Sequence, residues 1–171
     1  MAAAAPVPLD VYLQSTCEPD AEYVDGEIQQ RPMGEYDHAA WQAAIQRWFF
    51  LHEQEWNIDA VPELRVQVSP SRFRVPDVAV LDMNQSVEQV ACVPPLAVFE
   101  ILSPEDSVIR LRQKLDDYAR MGIAQIWVID PADGATLKYE EKALRPHDRF
   151  DLPQLGISFP MDEIRRRLRR G

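Results

Sequence analysis

Residues 96–102, Leu-Ala-Val-Phe-Glu-Ile-Leu, set six apolar side chains around a single acid. A strand apolar on both of its alternating faces belongs inside a sheet that is covered on both sides. The cover is also written in the chain. Over Tyr36–Glu55, His38, Trp41, Ile45, Trp48, Phe49 and His52 recur at the spacing of one helical face, and Asp37 offers a capping side chain. A second helix opens at Ser103-Pro104-Glu105-Asp106, where a capping serine precedes a proline and first-turn acids. It runs to Met121 with Val108, Leu111, Leu115 and Tyr118 on its inner face, and Gly122 stands at the natural C′ position. Other strands are expected at Glu22–Gln30 (with a turn or bulge at Asp25-Gly26), Glu63–Val68, Phe73–Leu81, Ile126–Ile129 and Leu137–Glu140, and a short helix at Pro6–Leu13. Residues 141–160 are spaced by prolines and give no pattern. This order describes a mixed α/β layer rather than a doubly wound sheet.

With 171 residues the chain is one domain in length, and 46% hydrophobic with 27% charged residues is ordinary for a soluble protein. Residues 1–6 are expected to be a disordered extension, 7–160 the folded domain and 161–171 an Arg-rich tail. Cys17 and Cys92 are too few for a disulfide framework or a four-ligand zinc site, which suits a reducing, cytoplasmic setting. No apolar run reaches the ~18 residues of a membrane span. Ala2–Ala5 lacks the basic and apolar regions of a signal peptide and reads as a frayed start. The six glycines are too dispersed for G-x-G-x-x-G or G-x-S-x-G, and no lysine follows a glycine, so no P-loop exists. His52-Glu53 is followed by Trp56 where a zinc protease needs its second histidine.

Two acids interrupt apolar strands: Asp77 in Val75-Pro76-Asp77-Val78-Ala79-Val80, and Glu100 in the run above. A buried carboxylate is costly unless it is paired, hydrogen-bonded or bound to metal. Each acid alone could face solvent at a strand end. On neighbouring strands the two would meet, and a divalent cation between them would turn repulsion into attraction, with oxygen ligands suiting magnesium or manganese. Lys114 lies on the shoulder of the second helix's buried face, three residues after Leu111 and four before Tyr118. It either snorkels to water or returns its ammonium to the acids.

Val75-Pro76-Asp77 followed by Glu100-Ile101-Leu102 resembles the PD-(D/E)xK signature of the restriction-endonuclease-like nucleases. The chain is most similar to the Uma branch of that superfamily, through Tyr23-Val24-Asp25-Gly26-Glu27-Ile28, His38, Phe73–Val80, Phe99–Pro104, Lys114-Leu115 with Tyr118-Ala119, and Gly122-Ile123 with Trp127–Pro131. The resemblance implies a restriction-endonuclease-like α/β fold, a mixed central sheet flanked by helices. It also implies a cation site from Asp77, Glu100 and the main-chain carbonyl of Ile101, holding magnesium or manganese. Leu102 stands where the parent signature has lysine, so the lysine is supplied from the following helix as Lys114. Glu27 and His38 are implied as added polar residues of the same site, and Gln125 stands where the family tends to have an acid.

The function so implied is metal-dependent endonucleolytic hydrolysis of DNA, by a homodimer on superfamily analogy, with no membrane partner. Charge pulls the other way. The net charge of −10 leaves residues 1–160 at −13, because the tail carries five Arg against two acids, and a binder of phosphate backbones ordinarily leans basic. The alternative is a catalytically weak nuclease-like domain that binds a partner protein. The tail reads as a solvated amphipathic end, with a phosphate clamp as its minority reading. Two expectations about substitutions follow. Lys114→Met should fold and lose cleavage, and metal-free Asp77→Asn should be at least as stable as the unsubstituted protein.

Overall fold

A computed structural model describes residues 5–16 and 21–169. Ala2–Ala4, the Cys17–Asp20 segment and Arg170 lie outside the described residues, so the readings of the frayed start, of Cys17 and of the tail's last arginine are not addressed by it. A short helix, α1 (Leu9–Gln14), precedes the hairpin β1 (Glu22–Val24) and β2 (Glu27–Gln29). Asp25 and Gly26 both take positive φ, 50° and 95°, so of the turn or bulge expected there the chain makes the turn, a two-residue connection between two short strands. Helix α2 (Tyr36–Phe50) and the single turn α3 (Glu53–Trp56) follow, then β3 (Ile58–Pro62), β4 (Val66–Ser69), β5 (Arg72–Arg74), β6 (Val78–Asp82) and β7 (Ala97–Ile101). Helix α4 (Val108–Met121) leads to β8 (Gln125–Asp130), β9 (Ala135–Glu140), β10 (Ala143–Pro146), β11 (Arg149–Leu152), β12 (Ile157–Pro160) and α5 (Asp162–Arg165).

The central sheet has the order β10-β9-β8-β7-β6-β3. Only β7 and β8 are parallel, joined by the α4 crossover; every other pair in this sheet is antiparallel. Alternation along the strands builds two cores. Val78, Val80, Ala97, Phe99, Ile101, Trp127 and Ile129 face α2 and the β11–β12 hairpin. Ala79, Leu81, Val98, Ile126 and Val128 face Leu115 and Tyr118 of α4. By the same period of two, Glu100 points to the α4 side. A second, four-stranded antiparallel sheet, β2-β1-β5-β4, packs Tyr23 and Phe73 on Tyr12.

Three expected boundaries move, each for a local reason. Phe73–Leu81 is not one strand. It breaks at Val75-Pro76-Asp77, where proline cannot donate to a ladder, and the chain passes from the second sheet (β5) into the central one (β6). The Ser103–Asp106 capping chemistry closes a turn on itself: Ser103 N donates to Asp106 Oδ2 (2.7 Å) and Asp106 N to Ser103 O (3.0 Å). Ser107 is therefore the cap of α4, Val108 is exposed, and Gly122 ends the helix at φ 97°. Asp37 sits in the first turn of α2, whose cap is Glu35 with no side-chain hydrogen bond, and the helix stops at Phe50 rather than Glu55. After α5, Ile164 is fully buried and Leu168 packs on the α2-side core, so residues 161–168 close against the domain.

Candidate active site

The switch between sheets at residues 75–77 creates the site. Extending the β6–β7 register, in which Val78 opposes Phe99, sets Asp77 opposite Glu100. Asp77 Oδ2 accepts from Ile101 N at 2.7 Å, so the carboxylate caps a donor that β6 no longer reaches. Its other oxygen meets the Arg31 guanidinium and lies 3.3 Å from His38 Nε2. Glu100 accepts from Lys114 Nζ and from Tyr118 OH, each at 2.7 Å. The Lys114 ammonium also reaches Glu22 Oε1 (2.8 Å) and Val75 O (3.0 Å), which uses all three of its donors. Glu22 in turn accepts from Val75 N at 3.0 Å. Both backbone groups of Val75, stranded at the switch, are thus satisfied by side chains. Behind them Arg74, 1% exposed, pairs with Glu22 (2.9 Å) and Asp117 (2.7 Å), and Arg72 also reaches Asp117.

These groups line a cleft of about 320 Å³, walled by Glu22, Arg31, His38, Asp77, Glu100 and Lys114. Ile101 lines it too, although its side chain belongs to the α2-side core, which leaves its main chain at the cleft. Burial, with the charges of Asp77 and Glu22 adding to it against Lys114, pushes the Glu100 carboxyl up to about 7. Burial also acts on Asp77 and Glu22, but cations outweigh it. His38 and Arg31 hold Asp77 below its ordinary value, and Lys114 and Arg74 do the same for Glu22. Burial would lower the His38 imidazole, yet its hydrogen bond to Asp77 leaves it raised.

Of the residues singled out from sequence, Asp77, Glu100, Ile101, Lys114 and His38 converge on this cleft. Glu27 does not: it is exposed near the hairpin tip, opposite Val24. Glu22, at the other end of the hairpin and opposite Gln29, is the acid that enters the cleft. Gln125 makes structural contacts, donating to Asp151 O (2.6 Å) and accepting from Trp127 Nε1 (3.0 Å). Sequence reasoning missed Glu22, Arg31 and Arg74. Arg74 carried the same signal as Asp77, a charge among apolar strand residues. Arg31 lies in the irregular connection before α2 and carried none.

Among the described residues, no group of three or more His, Cys, Asp and Glu side chains forms a ready-made metal centre. The donors at hand are the Asp77 and Glu100 carboxylates, each already engaged by protein donors, beside the main chain of Ile101. That set fits a small hard cation, which keeps several waters and takes only one or two carboxylates beside a substrate phosphate.

The mixed central sheet flanked by helices is a fold shared with a solved structure. The chain spans 95% of its length against 99% of a structure titled a "putative nuclease belonging to DUF820 from Anabaena variabilis", at a TM-score of 0.78 and 23% identity. A search of curated proteins finds no match. Residues 9–160 match the model of a family described as "Uma2: Putative restriction endonuclease", and the chain belongs to that family.

Proposed function

We propose that the protein is an endonuclease that hydrolyses DNA phosphodiester bonds with the help of magnesium or manganese. The observation that carries this is the convergence of Asp77, Glu100 and Lys114 on one cleft, with Lys114 on Glu100. Asp77, Glu100 and the Ile101 carbonyl would hold the cation, which when bound polarises a phosphate and makes water a readier nucleophile. Lys114 has no free donor, so it acts by charge: it orients Glu100 and opposes negative charge that develops at the phosphate. His38, made more basic than usual by its hydrogen bond to Asp77, stands at the cleft wall where it can pass a proton to a departing oxygen. Tyr118 keeps the Glu100 carboxylate in one orientation from below. A homodimer would present two such clefts to the two strands of a duplex.

The acidic body favours the second reading, a nuclease-like domain that binds a partner protein. A plasmid assay separates them. Supercoiled DNA should be nicked in magnesium or manganese, spared in EDTA, and spared by Glu100→Gln in either metal. DNA left intact by the unsubstituted protein in both metals would favour the binding module.

A further inference from the structure

We infer that Arg31 is the displaceable counter-ion of the cation site: it occupies Asp77 while the site is metal-free, leaves when a divalent cation binds, and then serves the substrate phosphate. The inference rests on the metal-dependent reading above and adds to it a residue that the signature residues do not include.

Charge balance is the first reason. The buried acids Glu22, Asp77, Glu100 and Asp117 already meet Arg31, Arg72, Arg74 and Lys114, and His38 stands on Asp77 as well, so the cluster carries no unmatched negative charge. A dication added to a balanced, poorly solvated cluster must expel a positive group or bring a negative one with it. Geometry says which group leaves. Lys114 is locked by three acceptors and Arg74 is sealed between Glu22 and Asp117. Arg31 comes from the irregular stretch between β2 and α2 and lines the cleft, and 13% of its side chain is open to solvent. It contacts the Asp77 oxygen that is not engaged by Ile101, the one a cation would take. A second acid is already at hand: Glu63 Oε1 lies 3.7 Å from Arg31 and is half exposed. Once displaced, the guanidinium stays at the cleft, where its fork suits a phosphodiester.

The test is calorimetric titration of manganese into metal-free protein at pH 8 without DNA, for the unsubstituted chain, Arg31→Met and Arg31→Lys. Removing the competing charge should tighten manganese binding about tenfold in Arg31→Met, and restoring it in Arg31→Lys should return the affinity toward the original. In calcium, Arg31→Met should bind a duplex oligonucleotide several-fold more weakly. Arg31→Gln replaces Arg31→Met if the latter does not fold. Unchanged or weaker manganese binding in the neutral variants, beside normal binding by the unsubstituted protein, overturns the role of Arg31 and leaves the metal site standing. No manganese binding by the unsubstituted protein overturns both.

Discussion

Neutralising the two central acids should have opposite effects on metal-free stability. Glu100 is carried from 4.5 to about 7, so its charged form is disfavoured in the fold by about 3 kcal/mol even with Lys114 beside it. The sign follows from linkage. Between about pH 4.5 and 7 the folded chain holds a proton on Glu100 that the unfolded chain has released, so this group's share of stability falls as pH rises through that window. Glu100→Gln carries no such charge and should be as stable as the unsubstituted protein at pH 5 and more stable at pH 8, by up to about 3 kcal/mol. Asp77 is the reverse case. His38 and Arg31 favour its charged form, and Asp77→Asn removes that attraction while keeping an acceptor for Ile101 N. It should lose about 1–3 kcal/mol at pH 8. This corrects the expectation from sequence that Asp77 would be the repelled acid: repulsion from Glu100 is outweighed by an arginine and a histidine that no strand pattern announced. Urea denaturation in EDTA at pH 5 and pH 8, followed by tryptophan fluorescence, measures both. A Glu100→Gln variant less stable than the unsubstituted protein at pH 8, or an Asp77→Asn variant more stable, would refute the electrostatic reasoning.

Lys114→Met should not fold as well as the sequence reading expects, since it leaves Glu22 and Glu100 buried without their shared cation; a loss of about 3–5 kcal/mol at pH 8 is expected in the same urea assay. The loss should shrink at pH 5, where Glu100 takes up a proton. Tyr118→Phe withdraws the donor to Glu100 Oε1 and should cost about 1–3 kcal/mol at pH 8, and less at pH 5.

Much of this was legible in the sequence because it is written in local periodicity. The α2 face, the doubly covered β7 with its one acid, Glu100, and the Gly122 helix stop all depend on residues within a few positions of one another. What was not legible depends on where elements dock. Glu22 and Glu27 share one face of the β1–β2 hairpin, and only the position of the hairpin against α4 decides that Glu22 reaches Lys114 while Glu27 faces water. β3 was hidden because Ile58–Pro62 is short, ends in proline and follows a helix without a loop; it is fixed by pairing along β6. The start of α4 was misplaced because serine, proline and acids favour a turn as readily as a helix end, and Asp106 bonded to Ser103 chose the turn.

The most direct test of the central claim is the anomalous density of manganese in a crystal of the unsubstituted protein soaked in that metal. The account predicts a peak bonded to oxygens of Asp77 and Glu100 and to the Ile101 carbonyl, with the Arg31 guanidinium moved off Asp77. A fully soaked crystal with no peak between the two carboxylates, and Arg31 still on Asp77, would contradict it.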